Sequence, residues 1–267
     1  MKPKICLTIA GIDPCGGAGL VSDIRTFSLL GVYSLSAVSA ITLQNTIEIR
    51  GIRKIDSIFL KKQIEVILDD IIPDSTKISM LPSVSSAYVI YYILKKYNLR
   101  NVILDPVMVS KQRVILTPKS VMRFISQKIF PFLTLVTPNI SEASIIYGRE
   151  IKTMEEVKDA AKYIKSLGVR YVLLKGGHLK GEICIDTLYD GDKFYFFKNR
   201  RIYTSNTHGT GCILSSTISA FLAKGYDIYY SVQKAIKFVN CGIKNSFSLG
   251  NGFGTLNLFD CNNRKGV

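Results

Sequence analysis

Two glycine-rich segments have residue types and spacing that could handle an anion. Asn206-Thr207-His208-Gly209-Thr210-Gly211-Cys212 runs directly into an apolar helical pattern. Gly209, Thr210 and Gly211 can turn successive backbone N–H groups toward one point, and a helix N-terminus adds positive potential there. That combination suits a phosphoryl group in transfer. Cys212 opens the helix, where a thiol pKa is expected to fall; a small buried hydrophobe is the plain alternative. His208 has the chemistry of a base, and a loop histidine that packs locally reads the same way. The second segment, Ala10-Gly11-Ile12-Asp13-Pro14-Cys15-Gly16-Gly17-Ala18-Gly19, lets backbone approach a ligand closely. It matches neither a Walker A loop nor a G-x-G-x-x-G fingerprint, so an ordinary strand-to-helix turn stands beside the functional reading.

Further groups sit at strand ends. In Thr137-Pro138-Asn139-Ile140-Ser141-Glu142, Asn139 and Glu142 lie one helical turn apart. Their oxygens suit a hydrated Mg²⁺ with nucleotide phosphates, because Mg²⁺ borrows few protein ligands. The same spacing describes a plain N-cap with Glu at N3. Asp105 ends one strand and Lys175, followed by Gly176-Gly177, ends another. Lys175 could neutralise phosphate or be one more surface lysine. Gln44, in Leu43-Gln44-Asn45-Thr46, offers donor and acceptor side by side, which suits an amino group beside a ring nitrogen; it also reads as a turn residue.

The elements that must hold these groups alternate between strand and helix. Strands are expected at 5–10, 32–43, 76–78, 101–106, 132–137 and 171–174. Helices are expected at 18–30, 58–71, 85–96, from the Thr153/Glu156 capping box to Leu167, at 212–223 and at 229–245. Asp190-Gly191-Asp192 between 185–189 and 193–197 signals a hairpin. Alternation of this kind predicts a mostly parallel sheet covered on both faces, in one domain spanning 1–267. Ligands then sit beyond the carboxyl ends of the strands, which is where the groups above fall.

Composition removes other classes. With 47% hydrophobic residues in 267, the chain buries enough surface to fold, so it is not disordered. The net charge of +15 points to a polyanion partner only if concentrated, and no run reaches five; the densest cluster is Lys198-Asn199-Arg200-Arg201. No nucleic-acid surface is expected. The apolar stretch after Met1-Lys2-Pro3-Lys4 is too short for export or a membrane span. Six cysteines without a C-x-x-C pair, and only two histidines, argue against zinc. No disulfide framework is expected; five cysteines read as packing, in a soluble protein of a reducing, cytoplasmic compartment.

Taken in order, seven segments resemble one family. They are Asp13-Pro14-x-Gly16-Gly17-Ala18-Gly19, Gln44-Asn45-Thr46, Lys77-Ile78-x-Met80-Leu81, Asp105-Pro106-Val107-Met108, Thr137-Pro138-Asn139-x-x-Glu142, Lys175-Gly176-Gly177-His178 and Asn206-Thr207-x-Gly209-Thr210-Gly211-Cys212. The chain resembles the ribokinase-like kinases, and among them the hydroxymethylpyrimidine/phosphomethylpyrimidine kinases of thiamine biosynthesis. The resemblance implies a three-layer α/β/α fold, ATP with Mg²⁺, and a homodimer. It implies phosphoryl transfer to 4-amino-5-hydroxymethyl-2-methylpyrimidine and then to its monophosphate. Gly11, Asp23, Gln44, Met80 and Val107 would line the pyrimidine pocket. Asn139 and Glu142 would hold Mg²⁺, while Lys175, Asp105 and Thr207 would serve ATP. Gly209, Thr210 and Gly211 would form the anion hole, with Cys212 where the sugar kinases of this fold carry a catalytic Asp.

The sequence departs from the family pattern in places. Ile12 and Cys15 replace hydroxyl residues in the first loop, Ser79 stands where Gly is common, and Asn251 where His is usual. The stretch Val109-Ser110-Lys111-Gln112-Arg113-Val114, a flap in the family, is short and lacks Ser-Gly-Asp. Pyridoxal kinase is the nearest competing reading, since its acceptor is also a ring hydroxymethyl group. A non-catalytic basic nucleic-acid binder is the alternative of another class.

Overall fold

The structure, a computed structural model, describes residues 2–178 and 181–261. Its strands are β1 (Ile5–Ile12), β2 (Tyr33–Gln44), β3 (Ile49–Lys54), β4 (Ser75–Ile78), β5 (Val102–Leu104), β6 (Leu135–Val136), β7 (Tyr171–Leu174), β8 (Ile183–Tyr189) and β9 (Phe194–Arg200). They form one sheet in the order β3-β2-β1-β4-β5-β6-β7-β8-β9. The run from β2 to β7 is parallel; β3, β8 and β9 add antiparallel margins. The helices are α1 (Gly19–Leu29), α2 (Ser57–Asp70), α3 (Val84–Lys96), α4 (Lys119–Lys128), α5 (Ile140–Tyr147), α6 (Met154–Ser166), α7 (Thr210–Ala223) and α8 (Ile228–Lys244).

Alternation inside the apolar strands divides the core. Leu7, Ile9, Val102, Leu104, Val136, Val172 and Leu174 join one buried cluster with Leu60, Ile90, Ile125 and Ile164, from α2, α3, α4 and α6. The intervening Cys6, Ile103, Leu135 and Leu173 join the other, with Phe27, Ile218, Val232 and Phe238 of α1, α7 and α8. Strands buried on both faces read as continuous apolar runs, which is why they were visible in the sequence. The expected three-layer arrangement is present.

The chain leaves β1 toward β2 and β3, then returns to its other side through β4. That reversal opens a crevice at the carboxyl ends of β1 and β4. Gly11 lies at the first end and Met80 just beyond the second.

Several local expectations needed correction. Sequence reading passed over β3, whose Arg50, Gly51, Arg53 and Lys54 hide its pairing with β2. It also missed α4, a short helix burying Val121, Met122 and Ile125. The strand expected at 132–137 shrinks to Leu135–Val136, because Phe130-Pro131-Phe132 coils into a 3₁₀ turn and proline cannot donate to a ladder. The Thr153/Glu156 capping box and the Asp190 hairpin form as expected.

The expectation that five cysteines merely pack is overturned by a disulfide between Cys241, in the last turn of α8, and Cys261, with Cα atoms 5.8 Å apart. Chain separation in sequence hid the pair; the C-terminal segment folds back along α8 and brings it within bridging range. That segment is a strap over the site loops. Phe253 N–H donates to the Thr46 carbonyl at 2.9 Å, and His208 N–H to that of Gly254 at 3.1 Å.

Candidate active site

The two glycine loops touch. Asp13 organises the first: its carboxylate accepts the N–H groups of Cys15 at 2.9 Å and Ala18 at 3.0 Å. It also lies 2.7 Å from His208 Nε2 of the second loop. Burial works against ionisation of Asp13, but His208 and the two amides hold its carboxyl below the ordinary carboxylate range. Gly209 sits at φ +81° against the Gly17 carbonyl, where any Cβ would overlap it. A Cβ on Gly17 would in turn strike the His208 ring. The glycines are needed for this seam, and His208 is its clasp; its ring is occupied by Asp13 rather than free as a base.

Gly209 is the N-cap of α7. The amides of Gly211 and Cys212 therefore belong to the first turn, where no intrahelical acceptor exists for them, while the Thr210 N–H donates back to the Thr207 carbonyl at 3.4 Å. The Thr210 hydroxyl donates to the Thr207 carbonyl at 2.7 Å and fixes the turn. A methyl group on Gly211 would lie 3.1 Å from the Lys175 ammonium. Backbone amides, a helix N-terminus and a lysine thus face one spot, as an anion hole requires.

Three neighbouring strand ends supply the charges. Lys175, after β7, pairs with the buried Asp105, after β5, at 3.0 Å. Asp105 also accepts from the Thr137 hydroxyl at 3.2 Å. Burial opposes its charge, yet Lys175 and Lys77 hold its carboxyl below the usual range. Between them, after β6, Asn139 and Glu142 make a reciprocal capping box: Glu142 N–H donates to Asn139 Oδ1 at 2.9 Å, and Asn139 N–H to Glu142 Oε2 at 2.8 Å. Asn139 Oδ1 is thus engaged as an N-cap. Burial pushes the Glu142 carboxyl up to about 7, against the pull of Lys175. A buried carboxylate in that condition has room for a cation's stabilisation. No group of three or more His, Cys, Asp or Glu side chains that could hold a metal occurs among the described residues. One buried carboxyl, Glu142, would fit an ion that takes its other ligands from water and phosphate, as Mg²⁺ does.

A cleft opens at the sheet's reversal point, lined by Gly11, Gln44, Met80, Val107 and Cys212 among others. A Cβ on Gly11 would come within 2.7 Å of Met80 Sδ, so any larger residue there would have to displace Met80. Gln44 stands in the wall with its carbonyl oxygen accepting from Thr42 Oγ1 at 3.1 Å and its amide nitrogen 3.4 Å from His208 Nε2. Four of the five residues expected to line a pyrimidine pocket are here.

Asp23 is the exception. It is fully buried, 2.5 Å from the equally buried Lys77 ammonium. It also accepts from Thr8 and Ser216 hydroxyls, each at 2.6 Å. It lies outside the cleft walls, because α1 turns it inward onto β4. The lowered thiol pKa expected for Cys212 is also overturned. Burial pushes it up to about 11, outweighing the help of Lys77. Lys77 lies in one of the segments that carry the resemblance; a lysine inside the short strand β4 is the signal of its buried partner.

A family model described as phosphomethylpyrimidine kinase matches residues 13–257. The chain belongs to that family. The hydroxymethylpyrimidine/phosphomethylpyrimidine kinase of Aquifex aeolicus is 40% identical over 249 residues, covering 93% of this chain and 98% of the relative. Among solved structures, the pyridoxal kinase of Staphylococcus aureus in complex with ADP superimposes with a TM-score of 0.92 at 30% identity, covering 99% of this chain and 96% of that one. The phosphomethylpyrimidine kinase of Clostridium difficile gives 0.79 at 36% identity, covering 89% and 98%. The fold is ribokinase-like, as the resemblance implied. The backbone match alone does not separate the two kinase activities; the family model and the relatives named hydroxymethylpyrimidine/phosphomethylpyrimidine kinase favour the pyrimidine acceptor.

Proposed function

We propose that this protein transfers the γ-phosphoryl group of ATP to 4-amino-5-hydroxymethyl-2-methylpyrimidine, and then to its monophosphate, in thiamine biosynthesis. The observation that carries it is the juxtaposition of the amide-lined start of α7 and Lys175 with a cleft bearing Gln44 and Cys212. Gln44 presents an amide to the amino group and ring nitrogen. Gly11, Met80 and Val107 supply flat apolar walls, and Cys212 sits where the hydroxymethyl group would face α7.

The chemistry follows from positions. The hydroxymethyl oxygen attacks the γ-phosphorus in line; the new O–P bond forms as the bond to the β-phosphate oxygen breaks, releasing ADP. Charge on the transferring group falls on the Gly209–Gly211 turn and on Lys175, which Asp105 holds in place. With its pKa near 11, Cys212 keeps its proton at neutral pH. It orients the alcohol rather than acting as a ready-made base, and the alcohol proton departs late, to a phosphoryl oxygen or solvent. Mg²⁺ would neutralise nucleotide phosphates when bound; Glu142 would hold it through water, and Asn139 would fix Glu142 by capping. Thr207 lies at the foot of the same turn, on the nucleotide side.

The protein would work as a single domain and a homodimer. Ile41, Leu43 and Ile47 stand exposed on β2 and the turn to the edge strand β3, a face that a second copy would cover. No helix among the described residues is long and apolar enough to cross a membrane; a cytoplasmic site of action is proposed with the pathway.

A panel assay with ATP tests the reading. Turnover of the pyrimidine alcohol and its monophosphate above that of pyridoxal supports it. Faster turnover of pyridoxal would favour the second reading, which the 0.92 superposition on a pyridoxal kinase keeps in view.

A further inference from the structure

The flap carries a cation that has no anion to meet. Residues 109–115 form a small hairpin: Val109 bridges to Ile115, and Arg113 N–H donates to the Ser110 carbonyl at 3.0 Å. Lys111 occupies the tip of that turn. Ser110, one residue before it, lines the cleft together with Val107 and Leu116 of the same segment. The Lys111 ammonium reaches across to the second glycine loop, donates to the Thr207 hydroxyl, and lies 5.4 Å over the Phe253 ring of the strap. It forms no ion pair with a carboxylate among the described residues.

The other lysines of the site are differently placed. Lys77 is sealed below the cleft by Asp23, and Lys175 is held by Asp105 beside the α7 turn. Lys111 is an exposed residue, yet desolvation of its ammonium pushes its pKa down to about 8, with no neighbouring charge to raise it. Beside it, the Gln112 side-chain oxygen is buried without a hydrogen-bond partner. Both are features of a polar tip awaiting a ligand.

The two acceptors of the proposed function differ in one respect that matters here. The alcohol is neutral, whereas its monophosphate brings about −1.5 to −2 charges into a site that must also take ATP. A cation beyond those committed to the nucleotide would offset that added charge. We infer that Lys111 is the specificity residue for the second transfer: swung from Thr207 on its flexible stem, its ammonium takes the phosphate of the phosphorylated acceptor. The inference rests on the proposed function and names the group that lets one cleft serve both acceptors. Thr207 and Phe253 are the resting partners that keep the lysine at the mouth when the acceptor is neutral.

The test compares the full-length enzyme with Lys111→Gln and Lys111→Arg. Steady-state kinetics are run for each acceptor at saturating ATP, and for ATP at saturating alcohol. Loss of a charge-assisted contact predicts that the ratio of kcat/KM for monophosphate to that for alcohol falls on the order of 10- to 100-fold in Lys111→Gln. The change should sit mostly in the monophosphate KM, and Lys111→Arg should restore the ratio to within a few-fold. An equal loss for both acceptors, a raised KM for ATP, or failure of arginine to rescue would overturn the inference. Calorimetric titration with the pyrimidine monophosphate and the alcohol, without ATP, separates this from the activity itself. If wild type turns over neither acceptor, the functional reading fails. The Lys111 assignment still stands or falls on whether Lys111→Gln weakens monophosphate binding selectively, and undetectable monophosphate binding by wild type counts against it.

Discussion

Breaking the buried pair beneath Cys212 should destabilise the fold far more than it perturbs substrate binding. Asp23 and Lys77 are both fully buried and 2.5 Å apart. Removing one partner of such a pair leaves an uncompensated charge and costs about 3–5 kcal/mol. In Lys77→Met, Asp23 keeps the Thr8 and Ser216 hydroxyls, which places this variant near the lower end, about 3 kcal/mol. In Asp23→Leu, Lys77 keeps no direct partner, which places it near about 5 kcal/mol. At about 2–4 °C per kcal/mol for a chain of this size, Tm falls by about 6–20 °C. The double variant Asp23→Leu/Lys77→Met should recover most of the loss, ending no more than about 2 kcal/mol below wild type, because an apolar pair replaces the ionic one; the coupling energy is then about 6 kcal/mol. Urea unfolding followed by far-UV circular dichroism is the assay, since the chain has no Trp to report by fluorescence. If the single variants lose less than about 1 kcal/mol while the pyrimidine KM rises tenfold, Asp23 faces the cleft, and the reasoning from burial is wrong.

Gly209→Ala should cut activity by roughly 100-fold or more, because its Cβ would push against the Gly17 carbonyl and displace the anion-hole amides; ATP-dependent turnover checks this. Glu142, with its carboxyl raised from 4.5 to about 7, is protonated when folded at pH values where it ionises when unfolded. Its contribution to stability is therefore complete below about pH 4.5 and lost as pH rises to about 7. Across that window wild-type stability should fall relative to Glu142→Gln by about 3 kcal/mol, measured by paired denaturation curves. Cys212→Ser should keep at least a tenth of wild-type turnover and Cys212→Ala about a hundredth. A rate that climbs steadily with pH past 8 in wild type but not in Cys212→Ser would show instead that the thiolate is the base.

The sheet was legible because its strands are buried on both faces and its helices carry ordinary caps and glycine stops. The anion-hole turn was legible for the same local reason: Gly209 and Gly211 flank a helix start, and backbone geometry follows from sequence neighbours. What escaped depended on distant partners. The family resemblance implies a pocket role for Asp23, but Lys77, 54 positions on, holds it beneath the cleft. Cys212 looked activated by its helix terminus, yet desolvation, which no local pattern reports, dominates. His208 became a clasp only when Asp13 met it from the other loop. The edge strand β3 and the Cys241–Cys261 pair were hidden likewise, the first by its charges and the second by the fold-back of the strap.

The central claim is spatial: one cleft presents a pyrimidine's hydroxymethyl oxygen to Cys212 and to the first turn of α7 at once. A crystal structure with the pyrimidine alcohol and a non-hydrolysable ATP analogue measures this directly. The account predicts the amino edge on Gln44, the hydroxymethyl oxygen within hydrogen-bond reach of Cys212 Sγ, and the γ-phosphate against the Gly209–Gly211 amides in line with that oxygen. A pyrimidine bound with its hydroxymethyl group turned away from α7, or a γ-phosphate held elsewhere, would contradict it.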